Sequence, residues 1–280
     1  MSTTDDPSAG SLRNAISNAM ARITHEFYGK GPARTRTYIF DNLVFSVLDD
    51  VLTPVERALK QGGRDDLVRR TRLTFEDIMT RSFTGEVEKL TGARVVAYHS
   101  LMVFDPDMAV EIFVLDRPAR ARAPRRSDAD VESAALAEPG EVGDADDLPA
   151  PDDDRPVLAA RSETRGQDGQ LRAAIANALV RLTREYWGKG PTRAKAYLED
   201  QFVFGVLEEP LTTVERTLIE GGEAQLVRDL RLEFQELKNA EFAREVEKAT
   251  GRTVLAVHSQ IVFAPDVLFV IFALEPSPGR

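Results

Sequence analysis

Apolar residues recur at three- and four-residue intervals early in the chain, at Leu12, Ile16, Ala19, Met20, Ile23 and Phe27, which predicts an amphipathic helix. Gly29 follows as a left-handed cap, and Pro32 keeps the helix from resuming. The period then changes. Residues 38–48, YIFDNLVFSVL, are rich in aromatic and β-branched side chains and predict one strand. Thr53-Pro54, with Glu56 three residues after the threonine, predicts the start of a short helix ending at Gly62-Gly63. A longer helix carries Leu67, Thr71, Phe75, Ile78, Phe83, Val87 and Leu90 on one face and closes at Gly92. Two strands, 94–104 and 108–115, finish the series and are joined by a turn at Asp105-Pro106-Asp107. The predicted order is αβααββ. It describes an α+β fold with a small, three-stranded, mainly antiparallel sheet covered by helices.

The whole pattern occurs twice. YGKGPAR at 28–34 returns as WGKGPTR at 187–193, and one ungapped offset of 159 residues carries Leu12 onto Leu171 and Leu115 onto Leu274. The helical periodicity returns at Leu171, Ile175, Ala178, Leu179, Leu182 and Tyr186. TxVERxL (53–59 and 212–218), Gly62-Gly63 with Gly221-Gly222, EVEK-x-TG (86–92 and 245–251) and His99-Ser100 with His258-Ser259 lie on the same offset. This is a tandem duplication of a domain of ordinary size. The expected organisation is an unstructured N-terminus at 1–10, copy one at 11–116, a tether at 117–168, copy two at 169–276 and a tail at 277–280. The tether opens with a run of arginines, turns acidic and contains no aromatic residue, so it cannot offset the entropy of ordering.

The last two strands of each copy are apolar on both sides. In copy one, Val96, Tyr98, Ser100, Met102 and Phe104 alternate with Val95, Ala97, His99, Leu101 and Val103, and 108–115 reads as apolar on both faces. A half-exposed antiparallel sheet alternates apolar with polar instead. One face meets the domain's own helices. The expectation for the other is the second copy, giving an intrachain pseudo-dimer held at high effective concentration by the tether; the alternative is that three helices cover both faces.

Composition narrows the function. The 280 residues are 42% hydrophobic and 29% charged, with a formal net charge of −10. That balance opposes nucleic-acid binding and polybasic docking on anionic lipid. There is no cysteine, which removes disulfides and thiolate chemistry. No apolar run has the length of a membrane span, so direct membrane insertion is not expected. The opening MSTTDDPSAG lacks the basic and apolar regions of a secretion signal, so a cytoplasmic protein is expected.

Candidate chemistry is sparse. GKGP follows a helix and precedes a strand, the reverse of a Walker phosphate loop, and no Ser or Thr follows the lysine. A helix stop explains its glycines and proline but not Lys30 and Arg34 or their counterparts Lys189 and Arg193. Those four residues are candidate ligands for a small anion, with Glu56 and Glu215 as alternative ion-pair partners. His99 and His258 are candidate interface or pH-sensing residues. Ser100 and Ser259 point to the opposite strand face from the histidines, so no Ser-His dyad is expected. No catalytic set, metal site or cofactor motif is read, and the chain is expected not to be an enzyme.

GKGP followed by a strand, then LTPVERAL, a long helix ending in TG and a closing hairpin, resembles the MpsC-like domain family, named for a bacterial sodium-translocating, membrane-potential-generating system. The resemblance covers both repeats. Copy two departs from copy one within the motif, with Pro210 and Thr213 where copy one has Val51 and Pro54. The resemblance implies a non-enzymatic accessory or regulatory protein beside an integral membrane partner handling sodium or inorganic carbon. The alternative is a pair of domains sensing a small anion or a nucleotide.

Overall fold

The computed structural model describes residues 7–120 and 155–276. In copy one, helix α1 (Pro7–Tyr28) ends at Gly29, whose φ of 68° is a left-handed conformation that costs glycine nothing. Strands β1 (Arg34–Phe40) and β2 (Leu43–Asp49) follow. Helix α2 (Pro54–Gln61) starts with a capping box in which Thr53 and Glu56 satisfy each other's backbone amides. Helix α3 (Asp65–Thr91) and the hairpin β3 (Val95–Phe104) and β4 (Asp107–Leu115) complete the unit.

Copy two repeats this with α4 (Arg155–Trp187), β5 (Arg193–Glu199), β6 (Phe202–Glu208), α5 (Thr213–Glu220), α6 (Ala224–Thr250), β7 (Val254–Phe263) and β8 (Asp266–Leu274). Here Thr212 and Glu215 build the capping box without the proline of copy one.

Each sheet is antiparallel and has four strands, ordered β1-β2-β4-β3 and β5-β6-β8-β7, one more than expected. The segment 38–48 is not one strand. It folds back at Asp41-Asn42, so that Phe40 faces Leu43 and Arg34 faces Asp49. Asp41 adopts a φ of 53° and Asp200, its counterpart, 50°, a conformation short polar side chains tolerate. The apolar run on either side of the Asp-Asn pair hid the turn.

The long helix α3 is also rotated from its predicted face. Val68, Met79, Phe83 and Val87 are buried, whereas Ile78 is 60% exposed. The 79-83-87 spacing sets the inward stripe, and Ile78 lies one residue's rotation away from it. The expected tether, 117–168, falls mostly on residues outside those described. Its last part is taken up by α4, which begins at Arg155, where VLAARSETR supplies good helix formers.

Each sheet has one face on its own helices. In copy one Ile16, Met20 and Ile23 of α1 and Met79, Phe83 and Val87 of α3 pack on Val44, Leu48, Ala109 and Phe113. Ile175, Leu179, Phe242 and Val246 do the same over Val203, Leu207, Val270 and Phe272 in copy two. The opposite faces form a third core that draws on both copies. It joins Phe45, Val47, Val110 and Ile112 to Phe204, Val206, Phe269 and Ile271, and Ala97 and Leu101 of the His99 strand pack against it.

The seam is held by ring contacts and by polar contacts between the copies. Phe45 and Phe204 rings approach to 4.6 Å, Phe40 stacks on Tyr197 at 4.0 Å, Tyr38 Oη donates to Asp200 Oδ2 at 3.1 Å, and Lys195 Nζ donates to Asp41 Oδ2 at 3.4 Å. The two-sided apolar strands thus reflect two interfaces, one with helices and one with the other copy.

Candidate functional site

The aromatic residue before GKGP ends the first helix of each copy, and a guanidinium holds it there. Arg72 of α3 lies 4.0 Å from the Tyr28 ring centre and Arg231 of α6 lies 4.1 Å from that of Trp187. The same side chains grip the helix-capping glutamates. Arg72 Nε and Nη2 donate to Glu56 Oε1 and Oε2 at 2.6 and 2.7 Å, and Arg231 repeats both distances with Glu215.

Nη2 also donates to the Val51 or Pro210 carbonyl, and each glutamate accepts the Thr53 or Thr212 amide. Burial alone would push these carboxyls up. The hydrogen bonds from arginine and the threonine amide, together with the guanidinium charge, outweigh it and hold both below the usual carboxylate range. Glu56 and Glu215 are therefore the partners of Arg72 and Arg231, not of Lys30, Arg34, Lys189 and Arg193. The long helices deliver a planar fork to the cap, and the GKGP lysines are engaged on the loop itself.

Lys30 Nζ donates to the carbonyls of Asp50 and Leu52 at 2.6 and 2.9 Å and lies 3.1 Å from the Asp50 carboxylate. Lys189 Nζ does the same to Glu209 and Leu211 at 2.9 and 2.6 Å. Each lysine clamps the loop that leads from the hairpin to the capping box, which explains why the motif needs a cation. Arg34 is exposed at the start of β1, and Arg193 lies 3.4 Å from Glu208. Lys30, Lys189 and Arg193 thus have protein partners among the described residues.

The histidines sit on the seam side of β3 and β7. Gln260 Nε2 of copy two lies 3.2 Å from His99 Nδ1 of copy one, which acts as acceptor when the ring proton is on Nε2. Burial, with a smaller contribution from Arg228, lowers His99 to about 4. Burial and Arg69 lower His258 to about 4. Both cationic neighbours come from the other copy.

A residue not singled out in the sequence lies at the centre of the helix-facing side. Glu111 interrupts the strand MAVEIFVL, is 5% exposed, and accepts from Tyr98 Oη at 2.6 Å and Ser100 Oγ at 3.1 Å. The reading of 108–115 as apolar on both faces is corrected here. One charged letter among eight was the available signal.

Glu111 lines a cavity of about 450 Å³ between the copies. Met79, Phe83 and Tyr98 of copy one form part of its wall, and Gln235, Asn239 and His258 of copy two close it. The offset that relates the copies places Val270 opposite Glu111 and Val257 opposite Tyr98, and both valines are buried. The two halves of the pseudo-dimer are therefore chemically unequal at this point.

Two α+β units of one ancestry, joined through their sheets with helices outside, define a duplicated pseudo-two-fold protein. The chain belongs to the MpsC family, described as Na+-translocating membrane potential-generating system (MpsC), which matches residues 8–117 and 167–276. It is similar to "Uncharacterized protein YrhF" of Bacillus subtilis (strain 168), with 26% identity over 104 residues, which is 36% of this chain and 85% of that protein. That relative is thus about the length of one copy. No solved structure matches the chain. Among the described residues no helix is long and apolar enough to cross a membrane.

Proposed function

We propose that this chain is a non-enzymatic accessory or regulatory protein of the membrane-potential system for which its family is named. It works on the cytoplasmic side, against an integral membrane partner that carries sodium or inorganic carbon. Family membership over both copies is the observation that carries this reading. The absence of a spanning helix among the described residues accords with translocation residing in another protein.

The test is a deletion strain of the source cell, with membrane potential read by a potential-sensitive dye in sodium and in potassium media. A sodium-dependent loss of potential, restored by the intact gene, and recovery of the chain with an integral protein from washed membranes are expected. An unchanged potential in both media, with the chain wholly in the soluble fraction, would refute the reading.

A second reading, a ligand-sensing domain pair, is favoured by the cavity between the copies, whose 450 Å³ falls within the roughly 300–1,000 Å³ of small-molecule sites. It differs from the anion expectation in place, because the cavity is built around Glu111 and not around the GKGP cations.

A further inference from the structure

Helix α6 leaves three leucines in water. Leu226, Leu230 and Leu237 are 53, 50 and 76% exposed. At roughly 100° and 1.5 Å per residue they fall within about 40° of arc, in one stripe about 17 Å long. Phe234, one turn on from Leu230, packs against Trp187 at 5.0 Å and carries the apolar surface towards the end of α4. The cavity between the copies takes Leu232, Gln235 and Asn239 from another side of α6, so the stripe is not part of it. The fold does not ask for the stripe either, since the repeat offset sets an exposed threonine, Thr71, at the place of Leu230 in copy one. Clustered surface leucines of this kind mark a contact.

The charges beside the stripe say what it meets. Among residues 223–240 the exposed charges are Glu223, Asp229, Glu233 and Glu236, all negative. Asp229 and Glu233 run along one margin, within about 60° of Leu226. The cations of the same stretch are turned inward. Arg228 lies over the Phe263 ring and donates to the Ile261 carbonyl, Arg231 is closed on Glu215, and Lys238 lies over the Tyr186 ring and donates to Glu241. Copy one has Arg70 and Thr74 at the places of Asp229 and Glu233, so the acidity belongs to copy two. An antiparallel pairing of α6 with its own twin would set acid against acid, which opposes a second copy as the occupant. Anionic lipid is repelled in the same way.

We infer that this face of α6 docks a basic amphipathic helix of the integral membrane partner. The apolar side of that helix lies on Leu226, Leu230 and Leu237, and its lysines or arginines run along Asp229 and Glu233. Such cations concentrate at the cytoplasmic ends of membrane-spanning segments. The inference rests on the accessory reading and gives it a surface, which only copy two carries.

The experiment has two arms, both on the full chain. In the first, Trp187 fluorescence follows titration with a Leu/Lys peptide of four helical turns, its Leu/Glu counterpart, and a Leu/Lys peptide of the same composition in scrambled order. The patterned Leu/Lys peptide is expected to bind, the Leu/Glu peptide not to bind, and the scrambled one to bind less well. Asp229→Lys with Glu233→Lys, and separately Leu230→Thr with Leu237→Thr, should each weaken binding at least about 10-fold, with the circular dichroism of an intact fold. Asp65→Lys with Asp66→Lys, on α3 of copy one, should leave the affinity unchanged. Equal binding by both face variants, or preference for the Leu/Glu peptide, would overturn the inference.

In the second arm the source cell expresses each form and its membranes are washed. The wild-type chain is expected to stay with them and both face variants to be released. Retention of all three would overturn the docking face and leave the accessory reading standing; release of all three would overturn both. Capture of the wild-type chain by protein-free phosphatidylglycerol vesicles would make lipid the occupant. A concentration-dependent sedimentation that Leu230→Thr with Leu237→Thr abolishes would make a second copy the occupant, and either result would overturn the inference.

Discussion

Removing the Glu215 carboxylate tests the node that ties the capping box to the long helix. Its side chain is 5% exposed and that of Arg231 3%. In Glu215→Ala the guanidinium stays buried with its two carboxylate bonds gone, and its Nη1 already has no partner among the described residues. Breaking a buried pair from one side costs about 3–5 kcal/mol. The Thr212 amide also loses its acceptor at 2.7 Å, which adds about 1 kcal/mol in the manner of a lost cap.

The expected destabilisation is therefore about 4–6 kcal/mol. Replacing both partners, Glu215→Leu with Arg231→Met, removes the orphaned charge and should recover at least about 2 kcal/mol of that loss. Urea denaturation followed by fluorescence of Trp187, the one tryptophan of the chain, reads the site directly because Arg231 lies against its ring. Circular dichroism checks the global transition. A loss below about 1 kcal/mol, or a double variant as unstable as the sum of the singles, would refute the idea that this pair holds the node.

The seam should be the second large contributor. Phe204→Ala, at a side chain with no exposure, is expected to cost about 3–5 kcal/mol, and a midpoint unchanged in urea would show the shared core to be dispensable. Acid should open the seam through the histidines. Their folded values of about 4 lie below the roughly 6.5 of free imidazole, so the fold favours the neutral rings; this stabilisation is complete above pH 6.5 and is lost as pH falls towards 4. The effect is on the order of 3 kcal/mol per histidine at most, and His99→Leu with His258→Leu should flatten stability across that window; a profile as steep as wild type would remove the histidines from the account. Lys189→Met should lose about 1.5–3 kcal/mol with its two bonds to loop carbonyls, and an unaltered melting curve would contradict the clamp.

Local signals carried much of the architecture. Gly29, Pro54, Glu56 and Gly92 mark helix ends through backbone rules that act within a few residues, and each mark corresponds to an element boundary in the structure. The Asp41-Asn42 turn was equally local but was masked by apolar neighbours, because Tyr38, Ile39 and Phe40 of the half-buried β1 run straight on to the buried β2 in sequence. Tyr28, Arg72 and Glu56 form one cluster, yet they stand 28 and 16 residues apart around Glu56. No short-range rule links them.

By itself, then, the chain determined that there are two copies, that each is α+β, and that their strands are too apolar for one covered face. Repetition and periodicity are properties of order along a polymer, and they survive without coordinates. Only the tertiary structure decided what each face meets, that Glu56 and Glu215 answer to Arg72 and Arg231, and that Glu111 lines a cavity both copies build. These depend on helices and sheets converging from distant segments, where burial and charge pairing are settled by distance in space and not by spacing in sequence.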